Sequence, residues 1–394
     1  MNQPRVLWTP AFVRLGLSES CYFVSYGVLL YSLSLYLVGP VRADERAVGL
    51  IYAGFTVAAL ALRPLAGRVT DRIGPRPVMA VGGGLATVAA LGLLAVDSVL
   101  GVLAVRVLAG VAEAAFMVAG MVALAGLAPP QRLGEAVSYN SLALYLGIAV
   151  GPLCGEAVRN TVGFAGTWWA AASLAAVSAA LAMTLPGAQP AVPETRGRNG
   201  AWIHRASLAP SLAFVGGSVA GSGVLAFAVL RVGELGMMGS SLPLVAYGGA
   251  VVTIRLLLPR IADQHPPLTI MAISLFITTT GAVLAAIAAA WPVFIVGAGL
   301  LGAGVALLTP AFFAAVFAGA RPQDRGSASA TATMAIDLGM GGGPIAAGLI
   351  AVSWGLPAAF AAISALTLLC SLWATHLAFR DQPSSPTRRT GLSP

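Results

Sequence analysis

The chain has 394 residues, of which 58% are hydrophobic and only 9% are charged, and its formal net charge is +8. A water-soluble domain carries about 25% charged residues, so this composition excludes a large water-facing surface and favours one that faces lipid. The basic residues form no continuous patch, which argues against nucleic-acid binding and indicates a membrane-orientation signal instead.

Apolar stretches long enough to cross a bilayer, which takes about 20 residues each, follow one another along the whole chain. In chain order they cover residues 11–38, 47–66, 77–96, 98–127, 135–160, 163–185, 208–231, 239–258, 268–290, 292–319, 327–352 and 354–379. The first stretch lacks a small-residue cleavage site, so it predicts a retained span rather than a signal peptide. The sequence thus predicts an all-α integral membrane protein with twelve transmembrane helices.

Two polar segments divide this series of helices. Residues 186–207 are rich in proline, glycine and charge, and residues 380–394 are typical of a disordered tail. The sequence therefore predicts an N-terminal six-helix bundle over 1–185, a linker over 186–207, a C-terminal six-helix bundle over 208–379 and a tail over 380–394. With the N-terminus placed in the cytoplasm, most arginines fall in cytoplasmic segments or helix ends. We therefore expect an inner-membrane protein with both termini and the linker in the cytoplasm.

The two halves of the sequence match at a single offset of 192 residues. The matching pairs are Arg63 and Arg255, Arg68 and Arg260, Asp71 and Asp263, Gly147 and Gly339, Gly151 and Gly343, and Pro152 and Pro344. Because each half has an even number of spans, we expect the halves to be related by an axis along the membrane normal. Transport in such an architecture proceeds by rocking one half against the other around a central site.

The loop after the second stretch carries a spaced motif of glycines, arginines and one acid. Its members are Gly67, Arg68, Asp71, Arg72, Gly74 and Arg76, and the second half keeps Arg260 and Asp263. The motif resembles the loop signature of the major facilitator superfamily. That resemblance implies that Asp71 latches the cytoplasmic side against a helix N-terminus or an arginine of the other half. The alternative is a basic cytoplasmic loop with an incidental acid.

Helix 4 carries Arg106 with Gly110 one turn later, which resembles the second motif of the same superfamily. A charge at the membrane centre costs about 2.5–3.5 kcal/mol on insertion scales, so Arg106 should have a partner. Glu113, about 10.5 Å farther along the helix, is one candidate and Glu19 is another. Proton-coupled exporters of the superfamily often place an acid in helix 1 near this arginine. The alternative for Arg106 is a side chain that reaches the outer interface.

Two further acids lie deep in apolar stretches. Glu19 shares a helix face with Tyr22 and Tyr26, where burial favours the neutral carboxyl form that a proton carrier needs. Asp337 lies in helix 11 at the repeat position of Tyr145. The sequence thus predicts a set for proton coupling: Glu19, Arg106, Glu113 and Asp337. The alternatives are a solvated Glu19 near the helix end and an Asp337 hydrogen-bonded within its glycine-rich helix.

Helix 5 contains a row of small residues around a proline: Gly147, Gly151, Pro152 and Gly155. The row resembles the antiporter motif of drug-efflux members, although Glu156 stands where that family usually has another glycine. Small residues allow close helix packing, and we expect it between helices 5 and 8, with a kink at Pro152. Because helix 11 repeats the row, it also fits an ancestral packing device.

The sequence has no phosphate-binding loop, metal-spaced His or Cys cluster, or Ser-His-Asp set, so we expect neither an enzyme nor a cofactor or metal site. The resemblance implies a monomeric proton-coupled exporter of a small amphiphilic organic compound, with protons and lipid as its other partners. Candidate cavity contacts are Tyr22, Tyr26, Asn140 and Tyr145. A proton-driven importer of a small metabolite is the alternative, and a non-transporting membrane sensor is a third hypothesis.

Overall fold

The computed structural model describes residues 7–129, 132–187, 204–258, 265–320 and 325–380. Every regular element in these ranges is a helix. In chain order they are α1 (Pro10–Val38), α2 (Glu45–Ile73), α3 (Pro75–Gly92), α4 (Val99–Leu127), α5 (Leu133–Met183), α6 (Arg205–Glu234), α7 (Leu242–Leu257), α8 (Pro267–Ile287), α9 (Trp291–Ala318) and α10 (Arg325–Arg380).

Helices α5 and α10 are each long enough for two spans and each is broken once by a glycine. The breaks lie at Gly163 (φ 80°) and Gly355 (φ 78°), a backbone region that glycine adopts without steric cost. These glycines are themselves 192 positions apart, so the repeat includes the turn between the last two spans of each half. With two arms in each of these helices, the ten helices of the described residues account for the twelve predicted spans.

The helix starts follow local capping chemistry. The side chains of Thr9, Asp44 and Ser98 accept hydrogen bonds from the first-turn amides of α1, α2 and α4, respectively. The N-terminus of α6 lies at Arg205, so the last residues of the predicted linker are helical. The rest of that linker, over 188–203, and the tail over 381–394 lie outside the described residues, and the domain boundaries stay predictions.

The helices pack as two groups. In the first group α1 packs on α5, α2 on α4, and α3 on both α4 and α5; in the second α6 packs on α10, α7 on α9, and α8 on both α9 and α10. The groups meet where α2 packs on α10 and α5 on α7, with a smaller contact between α1 and α6. In that smaller contact Ser34 donates to the Ala226 carbonyl at 2.8 Å, and these residues are repeat equivalents 192 positions apart. The pseudo-twofold axis therefore passes near this hydrogen bond.

The outer surface of the helices is rich in exposed apolar side chains. Leu100 and Trp354, for example, are 76% and 74% exposed. Eight of the helices are apolar and long enough to cross a membrane, and α7 is a shorter apolar helix. An apolar surface of this extent is compatible with lipid and not with water.

Candidate functional site

One arginine joins two acids from different halves of the molecule. The Arg63 guanidinium, on α2, lies 2.7 Å from the Asp337 carboxylate on α10 and 3.7 Å from the Glu113 carboxylate on α4. Asp337 is only 3% exposed at its side chain, whereas Glu113 and Arg63 are 15% and 23% exposed. The Arg63 cluster, defined as Arg63, Glu113 and Asp337, therefore ties the first half to the second through charge.

The partner of these acids differs from the sequence-based expectation. We expected Arg106 to pair with Glu113 or Glu19, and the second predicted stretch, over 47–66, places Arg63 near its cytoplasmic end. Helix α2 instead continues to Ile73, so Arg63 lies inside the helix and faces Asp337. The available signal was the repeat, which places arginines at matching positions 63 and 255 in two apolar stretches.

The second half makes the equivalent contact without an acid. Arg255, on α7, donates a hydrogen bond to the Ser141 hydroxyl on α5. Its guanidinium carbon also lies 4.7 Å from the centroid of the Tyr145 ring. Tyr145 is the repeat equivalent of Asp337, so a cation–π contact occupies one side of the pseudo-axis and an ion pair the other. Tyr145 thus lies at the α5–α7 contact rather than beside Tyr22 and Tyr26.

Arg106 is buried to 3% exposure and makes no ion pair with any described residue. Its guanidinium carbon lies 4.3 Å from the Phe55 ring centroid and 5.6 Å from that of Tyr52. Its Nε has no hydrogen-bond partner in the described part of the chain. The expected carboxylate partner is absent because Glu113 is oriented toward Arg63, and two aromatic faces surround the cation instead.

A small cavity adjoins Arg106. It measures about 20 Å³ and is lined by residues of α1 to α4, namely Tyr22, Ser25, Tyr26, Phe55, Ala86, Arg106 and Ala109. A volume of this size holds about one water molecule. Tyr22 and Tyr26 therefore line a cavity that is too small for a substrate, and their role as substrate contacts stays a prediction.

Glu19 lies buried at 3% exposure on α1. The Asn140 side chain hydrogen-bonds its carboxyl group, whereas Oε2 has no partner among the described residues. A Cβ added at Gly120 of α4 would meet Glu19 Oε1 at 2.8 Å, so this glycine leaves the space that the carboxyl group fills. The alternative of a solvated Glu19 is excluded by its burial, and Asn140 lies with Glu19 rather than in the cavity beside Arg106.

The glycine row of α5 faces α1 rather than the eighth predicted span (239–258), which is α7 in the structure. This corrects the expected packing. A Cβ at Gly147 would lie 2.4 Å from the Phe23 backbone, and one at Gly151 would lie 2.6 Å from Gly27 Cα. Gly155 faces Tyr31 in the same row. Residues four apart share one helix face, so a residue between them in sequence points elsewhere.

The predicted close approach of the fifth and eighth spans, α5 and α7 in the structure, does occur, but through different residues. A Cβ at Gly248 of α7 would lie 2.6 Å from the Ala149 amide nitrogen of α5. The repeat equivalent of Ala149 is Gly341 of α10, which contacts Thr56 of α2 in the same way. The glycine row thus holds α5 within its own half, and Gly248 sets the approach between halves.

The motif predicted to lie in a loop instead covers the last turns of α2, Gly74 and the start of α3. Gly74 caps α2 with φ 86°, which explains a glycine there. Its charged members, Arg68, Asp71, Arg72 and Arg76, are exposed. Asp71 makes no ion pair or hydrogen bond with any residue described, so the latch is not formed between described residues in this conformation. Arg260 and Asp263 lie outside the described residues, and the gate role stays a prediction.

The predicted outer end carries its own contacts between halves. Tyr31 on α1 donates to the Gly239 carbonyl, and Glu156 on α5 accepts a 2.7 Å hydrogen bond from the Ser241 amide at the start of α7. A carboxylate near the end of a membrane helix is usually solvated. The Glu156 carboxylate instead joins the two halves at the position where the family usually has a glycine.

Comparison with known proteins agrees with this architecture. The family model described as Major Facilitator Superfamily matches residues 15–286 and 212–393. An uncharacterized MFS-type transporter of Burkholderia mallei (strain SAVP1) is 28% identical over 356 residues, covering 86% of this chain and 85% of that protein. These matches support a membrane transporter rather than an enzyme.

Two solved structures share the fold at low sequence identity. A mutant of the nucleoside transporter NupG has a TM-score of 0.76 at 14% identity, covering 93% of this chain and 99% of that one. A bacterial homolog of the human lysosomal transporter Spinster, in an inward-facing and unoccupied conformation, has a TM-score of 0.76 at 13% identity, covering 97% and 100%. The fold, the repeat and the family match agree, and the chain belongs to the major facilitator superfamily.

Proposed function

We propose that this protein is a proton-coupled exporter of a small amphiphilic organic compound, working by alternating access in the inner membrane. The observation that carries the proposal is the Arg63 cluster, in which one cation holds acids from both halves. Arginine stays protonated at any physiological pH, so only the acids can change charge. A proton on Asp337 removes the attraction that ties α2 to α10.

The position of the cluster gives the proton a direction of effect. Under the predicted topology, Arg63 lies in the cytoplasmic half of α2, and Asp337 lies in the cytoplasmic half of the arm of α10 that precedes Gly355. Protonation of Asp337 from outside would release the contact and favour opening toward the cytoplasm. Loss of the proton to the cytoplasm restores the ion pair and closes that side again. Such a cycle couples inward proton movement to the conformational change.

Glu19 is suited to hold a proton between the two sides. Its carboxyl group is buried and one oxygen lacks a partner among the described residues, an arrangement that disfavours the charged form. Arg106 lines the cavity with Tyr22 and Tyr26, and Glu113 of the Arg63 cluster lies two turns farther along α4. The predicted set of Glu19, Arg106, Glu113 and Asp337 therefore requires Arg63 as a fifth member.

Export rests on the resemblance of the α5 glycine row to the antiporter motif, and an amphiphilic substrate rests on the aromatic cavity lining. A proton-driven importer uses the same cluster with the substrate moving in the opposite direction. The NupG and Spinster-homolog likenesses support the fold and carry no substrate assignment to this chain.

Everted membrane vesicles test the proposal directly. With the vesicle interior made acidic, an exporter takes up fluorescent amphiphilic compounds from the medium and releases protons from the lumen, which an internal pH dye records. Asp337→Asn should abolish the dependence on the gradient, while Asp97→Asn, at an exposed position, should not. Uptake driven only by the opposite gradient would favour the importer, and absence of gradient-dependent flux for every compound would reject both.

A further inference from the structure

Arg106 carries a permanent charge in a place where the described residues provide no opposite charge. It is 3% exposed, makes no ion pair in the part of the chain that the structure describes, and leaves its Nε without a hydrogen-bond partner. Arginine cannot lose its proton in a protein, so this charge persists throughout the transport cycle. A buried unpaired charge is unfavourable, and an anion that enters the site removes that penalty.

Neither of the two candidate acids pairs with Arg106 in this conformation. Glu113 contacts Arg63, which already holds Asp337, and Glu19 is hydrogen-bonded by Asn140. The contacts that Arg106 does make are with the faces of Phe55 and Tyr52. Cation–π contacts use the face of the guanidinium and leave its in-plane donors available. The Arg106 guanidinium is thus oriented by aromatic rings and keeps its hydrogen-bonding edge for a ligand.

The side chains around the Arg106 guanidinium indicate which kind of molecule could bind beside it. The cavity beside Arg106 is lined by three aromatic side chains, Tyr22, Tyr26 and Phe55, together with two alanines and Ser25. The Ser25 hydroxyl is already donated to the Ala171 carbonyl. The lining thus offers flat apolar faces and phenol groups and, among the described residues, no carboxylate. It suits a planar apolar body and disfavours a cationic head group.

We propose that the transported compound is an organic anion, whose carboxylate or similar planar anionic group pairs with Arg106 while its apolar ring system packs against Tyr22, Tyr26 and Phe55. The inference rests on the proposed transport function and specifies its substrate class. A guanidinium binds a carboxylate through two parallel hydrogen bonds, a geometry that an ammonium cannot reproduce. The present cavity of about 20 Å³ holds no such compound, so binding requires the opened conformation.

Equilibrium binding to the purified full-length protein, without any proton gradient, tests the inference. The probes are three matched pairs that differ only in charge: benzoate and benzamide, 2-naphthoate and 2-naphthamide, and indole-3-acetate and indole-3-acetamide. In the wild type we expect at least one carboxylate to bind about tenfold or more tightly than its amide, a difference of about 1.4 kcal/mol. If no carboxylate binds more tightly than its amide, the inference is wrong.

Variants then assign that preference to one side chain. Arg106→Gln should remove the preference for the carboxylate and leave amide binding in place. Arg106→Lys should restore only part of it, because the charge returns without the planar fork. Arg46→Gln, at an exposed position of α2, should retain the full preference. Retention of the preference in Arg106→Gln would overturn the inference.

The outcome is separable from that of the proposed function. Carboxylate preference that depends on Arg106, without gradient-driven flux of any probe, supports the anion site and contradicts proton-coupled export. Gradient-driven flux of amides or cationic amphiphiles, with no carboxylate preference, contradicts the anion site alone. Loss of gradient-driven flux in Arg106→Gln with unchanged carboxylate binding would show that Arg106 pairs with a protein acid during the cycle, which also contradicts the anion site.

Discussion

Arg63 and Asp337 lie 274 positions apart in the chain, and their side chains meet at 2.7 Å between α2 and α10. The acid is buried and the arginine is about three-quarters buried. One partner is permanently charged and the other titrates, so the strength of this contact depends on protonation. The contact therefore links the closed arrangement of the two halves to the proton.

Replacing Asp337 with Asn should weaken the closed conformation. A hydrogen bond to a charged group contributes about 1.5–3 kcal/mol, and Arg63 keeps only the 3.7 Å contact with Glu113. We expect a lower midpoint of thermal unfolding in detergent and loss of gradient-dependent transport. Asp97→Asn, which alters an exposed acid, should match the wild type. An unchanged midpoint in Asp337→Asn would show that the ion pair adds nothing to the closed state.

Replacing Glu19 with Gln should separate stability from coupling. The change removes a buried charge whose Oε2 has no partner among the described residues, so thermal stability should be equal or higher. Transport driven by a pH gradient should fall about tenfold or more, because the amide cannot carry a proton, whereas exchange without a gradient should persist. Glu19→Asp should keep part of the gradient dependence. A Glu19→Gln protein with full gradient-driven transport would exclude Glu19 as a proton carrier.

Two adjacent glycines of α7 offer a matched test of the contact between halves. A Cβ at Gly248 would lie 2.6 Å from the Ala149 nitrogen, while a Cβ at Gly249 meets nothing within 4 Å. Gly248→Ala should therefore force α5 and α7 apart and disfavour the present conformation, and Gly249→Ala should not.

Spin labels at the predicted outer end can measure this effect. The labels would be attached at Arg46→Cys and Met238→Cys after the three native cysteines are replaced. Both positions are exposed. Gly248→Ala should increase the population of long distances between the labels relative to the wild type. If Gly248→Ala and Gly249→Ala give the same distance distribution, the close approach of α5 and α7 does not control closure.

The glycine row of α5 should matter for stability within the first half. A Cβ at Gly151 would lie 2.6 Å from Gly27 Cα and from the Val24 carbonyl oxygen, both on α1. Overpacking of this kind typically costs about 1–3 kcal/mol, so Gly151→Ala should lower the thermal midpoint. Gly84→Ala on α3 is the control, because nothing lies within 4 Å of its added Cβ. Equal midpoints would contradict the tight α1–α5 packing.

Hydropathy predicted the spans, and the residue matches at an offset of 192 predicted the repeat, but hydropathy could not locate Arg63. The predicted second span ends at residue 66, because the charged residues that follow lie outside the hydrocarbon region. Helix α2 nevertheless continues to Ile73. Hydropathy reports where the apolar stretch ends, and a helix can extend into water beyond that point. Arg63 was therefore assigned to a helix end instead of a helix interior.

The partners of Arg106 and of the α5 glycines could not be predicted for a related reason. Contacts between membrane helices depend on the rotation of each helix about its own axis. A helix that is apolar on every side carries little periodic signal that would fix this rotation. The contact of Glu113 with Arg63 was therefore not predicted, and the row of Gly147, Gly151 and Gly155 was assigned to the wrong neighbour.

Two contacts between the halves, α2 with α10 and α5 with α7, border the predicted cytoplasmic opening. They differ in what can release them. At the α2–α10 contact Arg63 forms an ion pair with Asp337, and protonation of Asp337 removes that attraction. At the other contact, between α5 and α7, the Arg255 guanidinium packs on the Tyr145 ring, and this contact involves no acid. Acidification should then weaken the α2–α10 contact first, while the α5–α7 contact persists. The cytoplasmic side would then open asymmetrically, at the α2–α10 contact before the α5–α7 contact, although the two halves are related by a near-twofold axis.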